Sequence, residues 1–282
     1  MYRLVAALAL AGCVVGPDPG GGGVIADAAP GGTVADARDL SAPDGGADAA
    51  ASSGVTCADP GLLFCDDFED LAPGPATSAR WTPETANGEV TIDGTHARGA
   101  RALHVHTTGN GRGLIRVNGF APPANSFYAR AHVWVDGFPS APDYAHFTMV
   151  ELAGNGGGVV RPIGGQYIPS AGKSLWGVGS DGGATGDWTR WQTTAPAEGG
   201  KWVCLEWQLA ATDNAINVWI DGVAHPEMGV TTKDHGGSTV DFVFPSFTSI
   251  WFGWWLYQGG PTPGQFDVWF DDIAVGASRL GC

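Results

Sequence analysis

Imidazole, phenol and guanidinium side chains on strand-like runs are the groups in this sequence that could act on a polymer. In Phe127–Val135 the residues Phe127, Ala129, Ala131, Val133 and Val135 are apolar, while Tyr128, Arg130, His132 and Trp134 share the opposite face. Successive strand side chains point to opposite sides, and four polar or amphipathic groups on one face make a poor core. The run 144–152 turns Phe147 and Met149 inward, and so His146 and Thr148 outward. In 249–258 (S-I-W-F-G-W-W-L-Y-Q), Ile250, Phe252, Trp254 and Leu256 require a core, and Trp251, Trp255 and Tyr257 flank Gly253 on the other side. If the three runs pair in one sheet, their outward faces form one groove holding Arg130, His132, His146, Trp251, Trp255 and Tyr257. A glycine between rings leaves room for a ligand near the backbone, and amphipathic rings suit the C–H faces and hydroxyls of sugars. The alternative is a central strand buried on both sides.

The positioning elements are strands. Period-2 runs recur between Gly, Pro, Asn and Asp clusters at 102–108, 127–135, 144–152, 175–179, 202–209, 216–220, 250–258 and 266–275, with no convincing helical period. Many short antiparallel strands rich in Val, Trp and Phe predict an all-β jelly-roll sandwich of two curved antiparallel sheets. In I-N-V-W-I-D-G-V, Asp221-Gly222 supplies the positive φ angles of a tight hairpin turn.

The N-terminus is read differently. Residues 1–11 carry one cation, Arg3, then an apolar run too short to span a bilayer, and Leu10-Ala11-Gly12-Cys13 resembles the lipobox of bacterial lipoproteins. Cleavage before Cys13 would leave it as a lipidated N-terminus, so the expectation is a cell-surface or outer-membrane protein held only by its lipid, or a secreted one if the lipobox is not used. Residues 14–56 are almost all Gly, Ala, Asp, Pro, Ser and Val, with no aromatic residue. Such a segment buries too little apolar surface to offset its ordering entropy and reads as a tether. It carries six Asp against Arg38, a balance of −5, which with Arg3 leaves −11 of the total −15 on residues 57–282. An acidic domain excludes nucleic acid as a partner and disfavours polyanions unless a local basic cluster overrides the net charge. All 12 tryptophans lie in 57–282, one domain's worth of chain, expected to act as a monomer.

With Cys13 assigned to lipid, Cys57, Cys65, Cys204 and Cys282 remain, an even number for an oxidising compartment. Of three possible pairings, Cys57–Cys65 as an entrance clasp and Cys204–Cys282 as a pin on the last residue are expected.

Four segments carry a family resemblance: L-F-C-D-D-F-E (63–69), G-T-H-A-R-G-A-R-A-L-H-V (94–105), W-V-C-L-E-W (202–207) and V-W-F-D-D-I-A-V (268–275). Their order resembles the concanavalin A-like lectin/glucanase superfamily, and within it Cip1-like secreted proteins and related polysaccharide lyases. The resemblance implies sugar bound on a concave sheet. It also implies a structural Ca²⁺ between the first and last strands, carried to Asp67, Glu69 and Asp271 or Asp272, hard oxygen donors suited to that ion. Phe270 and Ile273 both look inward, which predicts a bulge at Asp271-Asp272.

Hydrolases of that superfamily place catalytic carboxylates at alternate strand positions. Glu151 is followed by Leu152-Ala153-Gly154 and Glu206 by Trp207-Gln208-Leu209, so glycoside hydrolysis is not expected. β-Elimination of a uronic-acid polymer needs a group to neutralise the carboxylate, a base and an acid. Arg130 or Gln166 could neutralise, His146 or His132 could take the proton, and Tyr257 or Tyr167 could return one. The simpler reading is polysaccharide binding through Tyr128, His132, Trp134, Tyr167, Trp251, Trp255 and Gln258. Trp188 and Trp191 either add a loop platform or cap the sandwich, and His104 and His106 are read as solvent-facing. A third reading is a non-catalytic adhesion domain, since large aromatic patches also mark protein interfaces.

Overall fold

The computed structural model describes residues 54–140, 144–186, 188–190, 194–237, 240–257 and 263–282. Cys13, most of the tether, Trp191 and Gln258 lie outside these. Among the described residues the strands are β1 (Leu62–Asp66), β2 (Gly74–Pro75), β3 (Thr82–Asp93), β4 (Ala102–Asn118), β5 (Phe127–Val135), β6 (Ala145–Asn155), β7 (Val159–Ile168), β8 (Lys173–Asp181), β9 (Thr189–Arg190), β10 (Trp202–Ala210), β11 (Ala215–Ile220), β12 (Val223–Ala224), β13 (Ser246–Tyr257) and β14 (Gln265–Gly276). The only helical segments among them are three-residue 3-10 turns.

Neighbouring strands run β12-β11-β10-β5-β14-β4-β13-β6-β7-β8-β9, antiparallel throughout. The long strand β4 folds this path into two layers. Its residues 103–108 pair with β14 and its residues 112–118 with β13. Between them Gly109 adopts φ 57°, a left-handed conformation suited to glycine. The apolar faces of β5 and β13 meet in one buried cluster. Phe252 stacks on Phe64 at 6.0 Å and lies 6.3 Å from Trp207, while Trp254 packs 5.1 Å from Phe147 and 5.3 Å from Phe266. The expected jelly-roll sandwich forms, with its two layers drawn from one curled sheet.

Local predictions held where turn chemistry was explicit. Asp221 and Gly222 take φ 50° and 80° and close the β11–β12 hairpin. The β14–β5 register shifts between Asp271 and Ala274, the expected bulge, with Asp272 at φ 48°. Both disulfides, Cys57–Cys65 and Cys204–Cys282, are those expected.

Gly253 corrects one reading. A Cβ there would meet the Gly113 carbonyl oxygen at 2.2 Å and the Leu114 Cα at 2.8 Å. The gap between the rings is therefore filled by the β4 backbone, not left open for a ligand. Because backbone cannot swing aside as a side chain can, Gly253→Ala should cost about 1–3 kcal/mol. Calorimetry should show a Tm lower by about 2–4 °C for each of those; an unchanged Tm would show that β4 yields freely.

Candidate functional site

The groove expected from the sequence divides between two surfaces. β5 and β13 belong to different layers and both turn their apolar faces to the same core, so their polar faces point away from each other. Arg130, His132, Tyr128 and Trp134 therefore cannot share a groove with Trp255 and Tyr257. Arg130 donates to the carbonyls of Val55 (3.0 Å) and Gly281 (3.3 Å). Tyr128 sits beside Trp219, and Trp134 stacks on His96 at 4.1 Å while its indole N–H donates to Asp136.

The other layer gathers the remaining groups in rows across its strands. Tyr257 of β13 pairs with His146 of β6, which pairs with Gln166 of β7. One row away, Trp255 lies between Thr148 and Arg112; further along, Trp251 lies between Glu151 and Arg116. Cross-strand partners on one face have neighbouring side chains, so register alone assembles this surface. His146 and Tyr257 lie 5.6 Å apart, ring centre to ring centre, and Trp255 is 4.9 Å from Tyr257. The Tyr257 hydroxyl is 3.3 Å from Thr148 Oγ1.

Three guanidinium groups cover these rings. Arg161 lies 5.2 Å from the Tyr257 ring centre and 5.4 Å from that of Trp255, Arg112 lies 5.7 Å from Trp255, and Arg116 lies 4.7 Å from Trp251. Cation–π contact holds each charge against an aromatic face. Arg161 is buried and bonded through Nε to Glu151 at 3.0 Å, with Asp181 at 3.5 Å. Among the described residues Arg112 and Arg116 share one carboxylate, Glu84, at 3.8 and 3.3 Å. Glu84 also accepts the Trp251 indole N–H. The Nε atoms of Arg112 and Arg116 are buried with no hydrogen-bond partner among the described residues. Glu84, Glu151 and Asp181 match the three guanidinium groups in number, but Glu84 is shared by Arg112 and Arg116.

Burial lowers the pKa of His146 below the ordinary imidazole value; the Gln166 hydrogen bond opposes this and the Arg161 charge adds to it. The ring is therefore neutral at pH 7 and able to accept a proton. Burial likewise raises the Tyr257 pKa, against the pull of Arg161 and the Thr148 bond, so the phenol keeps its proton. For Arg161, burial opposes the charge, but Tyr257, Glu151 and Asp181 outweigh it and the pKa is raised.

Other expectations need correction. Tyr167 turns into the core, because alternation that places Gln166 outward must place its neighbour inward. His104 and His106 are half-buried rather than solvent-facing: His104 bridges Asp93 (2.8 Å) and Asp267 (2.9 Å), and His106 contacts Asp267 at 2.8 Å. Trp188 is fully buried, stacked on Phe242 at 4.5 Å, and caps the sandwich. Arg161, Arg112, Arg116 and Glu84 go unmarked in the sequence reading, and Glu151 is weighed there only as a hydrolase carboxylate. The one signal was V-V-R-P, a lone cation within an apolar run.

The four acidic residues assigned to Ca²⁺ lie near one another but are engaged by nitrogen donors. Asp271 accepts the backbone N–H groups of Arg98 (2.7 Å) and Asp272 (2.8 Å), Glu69 those of Ala100 and Arg101, and Asp272 the Arg98 guanidinium at 2.8 Å. Asp67 accepts only the Glu69 N–H, at 3.4 Å. Burial, reinforced by the Asp272 and Glu69 charges, pushes the Asp271 pKa up to about 7. Crowded carboxylates suit a cation, yet among the described residues no three acidic, His or Cys side chains stand in a metal-holding arrangement.

The chain is thus a two-layered jelly roll with a polar, aromatic surface on one layer. The chain belongs to the polysaccharide-lyase-like family of the Cip1-like core domain, whose model matches residues 68–278. No curated protein matches it. Among solved structures it is similar to the cellulose induced protein Cip1, at 22% identity over 78% of this chain and 99% of that one, with a TM-score of 0.55. An alginate lyase in complex with an alginate tetrasaccharide matches at 12% identity and TM-score 0.48, covering 78% of this chain and 98% of that one. A glycosyl hydrolase family 16 protein from Mycobacterium smegmatis matches at 17% identity and TM-score 0.48, covering 76% of this chain and 99% of that one.

Proposed function

We propose that this protein binds a uronic-acid polysaccharide across the outer face of the β13-β6-β7 layer and cleaves it by β-elimination. The observation that carries the reading is the Tyr257–His146–Gln166 row, with Arg112 one row away and Arg116 further along the same face. Arg112 would take the substrate carboxylate, making the adjacent C5 proton acidic enough to remove. His146, neutral and hydrogen-bonded by Gln166, takes that proton. The electron pair forms the C4–C5 double bond, the C4–O4 bond breaks, and Tyr257 gives its proton to the departing oxygen. Arg161 beside the Tyr257 ring then steadies the phenolate until the His146 proton is passed on.

The binding half of the reading is tested on affinity gels. A uronan should retard the protein, its carboxyl-reduced form should not, and Arg112→Ala with Arg116→Ala should weaken retention by about tenfold or more at low salt, less at high salt. Equal retention by charged and reduced polymer would contradict the carboxylate role.

Anchoring at the cell surface through lipidated Cys13 belongs to the same proposal, tested by radiolabelled palmitate incorporation that Cys13→Ala abolishes. We also propose that Ca²⁺ binds beside Asp271, on the ground that a dication would relieve the like-charge crowding there. Excess Ca²⁺ should raise the Tm by several degrees over a chelator control, and no shift would remove the assignment.

A further inference from the structure

On the outer side of the opposite layer a polar cavity of about 280 Å³ opens beside the two disulfides, lined by Asp67, Arg98, Arg130, His132 and Asp272 together with Val55 and Cys282. Its floor is β5. Arg130 and His132 are each only 5% exposed. The Arg130 Nε and the His132 Nδ1 are buried with no hydrogen-bond partner among the described residues, the imidazole nitrogen standing 3.7 Å from Asp272 Oδ2.

A buried guanidinium normally faces a carboxylate, since its uncompensated charge is costly away from water. Arg130 has only the neutral carbonyls of Val55 and Gly281, and forms no ion pair among the described residues. Asp272 and Glu206 act on the Arg130 charge through space, and both are hydrogen-bonded to other groups. Asp272 holds the Arg98 guanidinium at 2.8 Å. Glu206, opposite Arg130 on β10, holds Arg279 at 2.8 Å and the backbone N–H groups of Leu280 (2.7 Å) and Gly281 (2.8 Å). The cavity thus contains one buried positive charge and two unused ring and guanidine nitrogens, with space for a small molecule.

We propose that this cavity is a second ligand site, taking a small organic carboxylate, up to the size of one sugar acid, against Arg130 and His132. A carboxylate oxygen accepts from the Arg130 Nε–H, and the second oxygen is placed for His132 or the neighbouring Arg98. This site is separate from the β13-β6-β7 surface and does not depend on its activity.

The test is isothermal titration of acetate, glucuronate and, as the neutral control, glucose into the full chain bearing Arg112→Ala and Arg116→Ala, which weakens the other surface. Acetate and glucuronate should bind with one-to-one stoichiometry and glucose should give no heat. Adding Asp272→Asn removes a like charge beside the ligand and releases Arg98, and should tighten glucuronate by about tenfold. Asparagine tolerates the φ of 48° at that position, so this variant folds. Adding Arg130→Met should abolish the heat. Absence of heat from both carboxylates, unchanged affinity in Asp272→Asn, or undiminished binding in a folded Arg130→Met protein would each overturn the assignment.

Discussion

Replacing His146 with alanine should lower the rate of uronan cleavage by about 10²–10⁴-fold, the ordinary worth of a positioned base, while retention on the polymer changes only a few-fold. The imidazole occupies the centre of the Tyr257–His146–Gln166 row, and its depressed pKa keeps it neutral. The sign of the pH effect follows. A base must be unprotonated, and a pKa below the ordinary value of about 6.5 moves the acid limb of kcat/KM below that pH. On the alkaline side Tyr257 must hold its proton, and its raised pKa carries activity past the ordinary phenol value of about 10. The expected profile is a broad plateau between those limits. Tyr257→Phe should also lose cleavage and keep retention. If either variant loses cleavage and retention in equal proportion, the residue only binds.

The second large effect is on stability. Cys204–Cys282 closes a span of 78 residues and Cys57–Cys65 one of 8. In the chain-entropy account the long loop is worth about 4–5 kcal/mol and the short one about 2–3 kcal/mol. Paired alanine substitution at Cys204 and Cys282 should therefore lower the Tm by about 10–15 °C, and at Cys57 and Cys65 by roughly half of that. Calorimetry of the two double variants gives the ordering directly. A costlier loss of the short bridge would mean that contacts around the Arg130 cavity, which both bridges border, outweigh the entropy of the unfolded chain.

How far the sequence reached can be traced strand by strand. β5 was read with its observed bounds because five alternate apolar residues leave one register open. β13 and β14 followed for the same reason, and Asp221-Gly222 fixed its hairpin through turn chemistry. Alternation, however, tells which residues share a face and not which strands share a layer. That β5 and β13 lie on opposite layers follows from the 17-residue length of β4, and its glycine-rich middle, Gly109 to Gly113, hid that length. β7 escaped notice because Pro162, Gly164 and Gly165 interrupt its pattern. Gly165 is required there, since a Cβ would meet the Leu175 carbonyl oxygen at 2.2 Å and the Phe147 ring at 2.4 Å. With β7 went Arg161. His146, Tyr257, Trp255 and, on β7, Gln166 are legible in the sequence, while the arginines beside them on β4 and β7 are not.

The account rests on chemistry at one face of one layer, and absorbance at about 235 nm, which reports the unsaturated product of elimination, tests it most directly. With wild-type protein and a panel of glucuronan, alginate and polygalacturonate, at least one polymer should give a steady rise, and its carboxyl-reduced form, lacking the group that acidifies the C5 proton, should give none. A flat trace on every uronan that the protein retains would contradict the account and leave the surface a binding site alone.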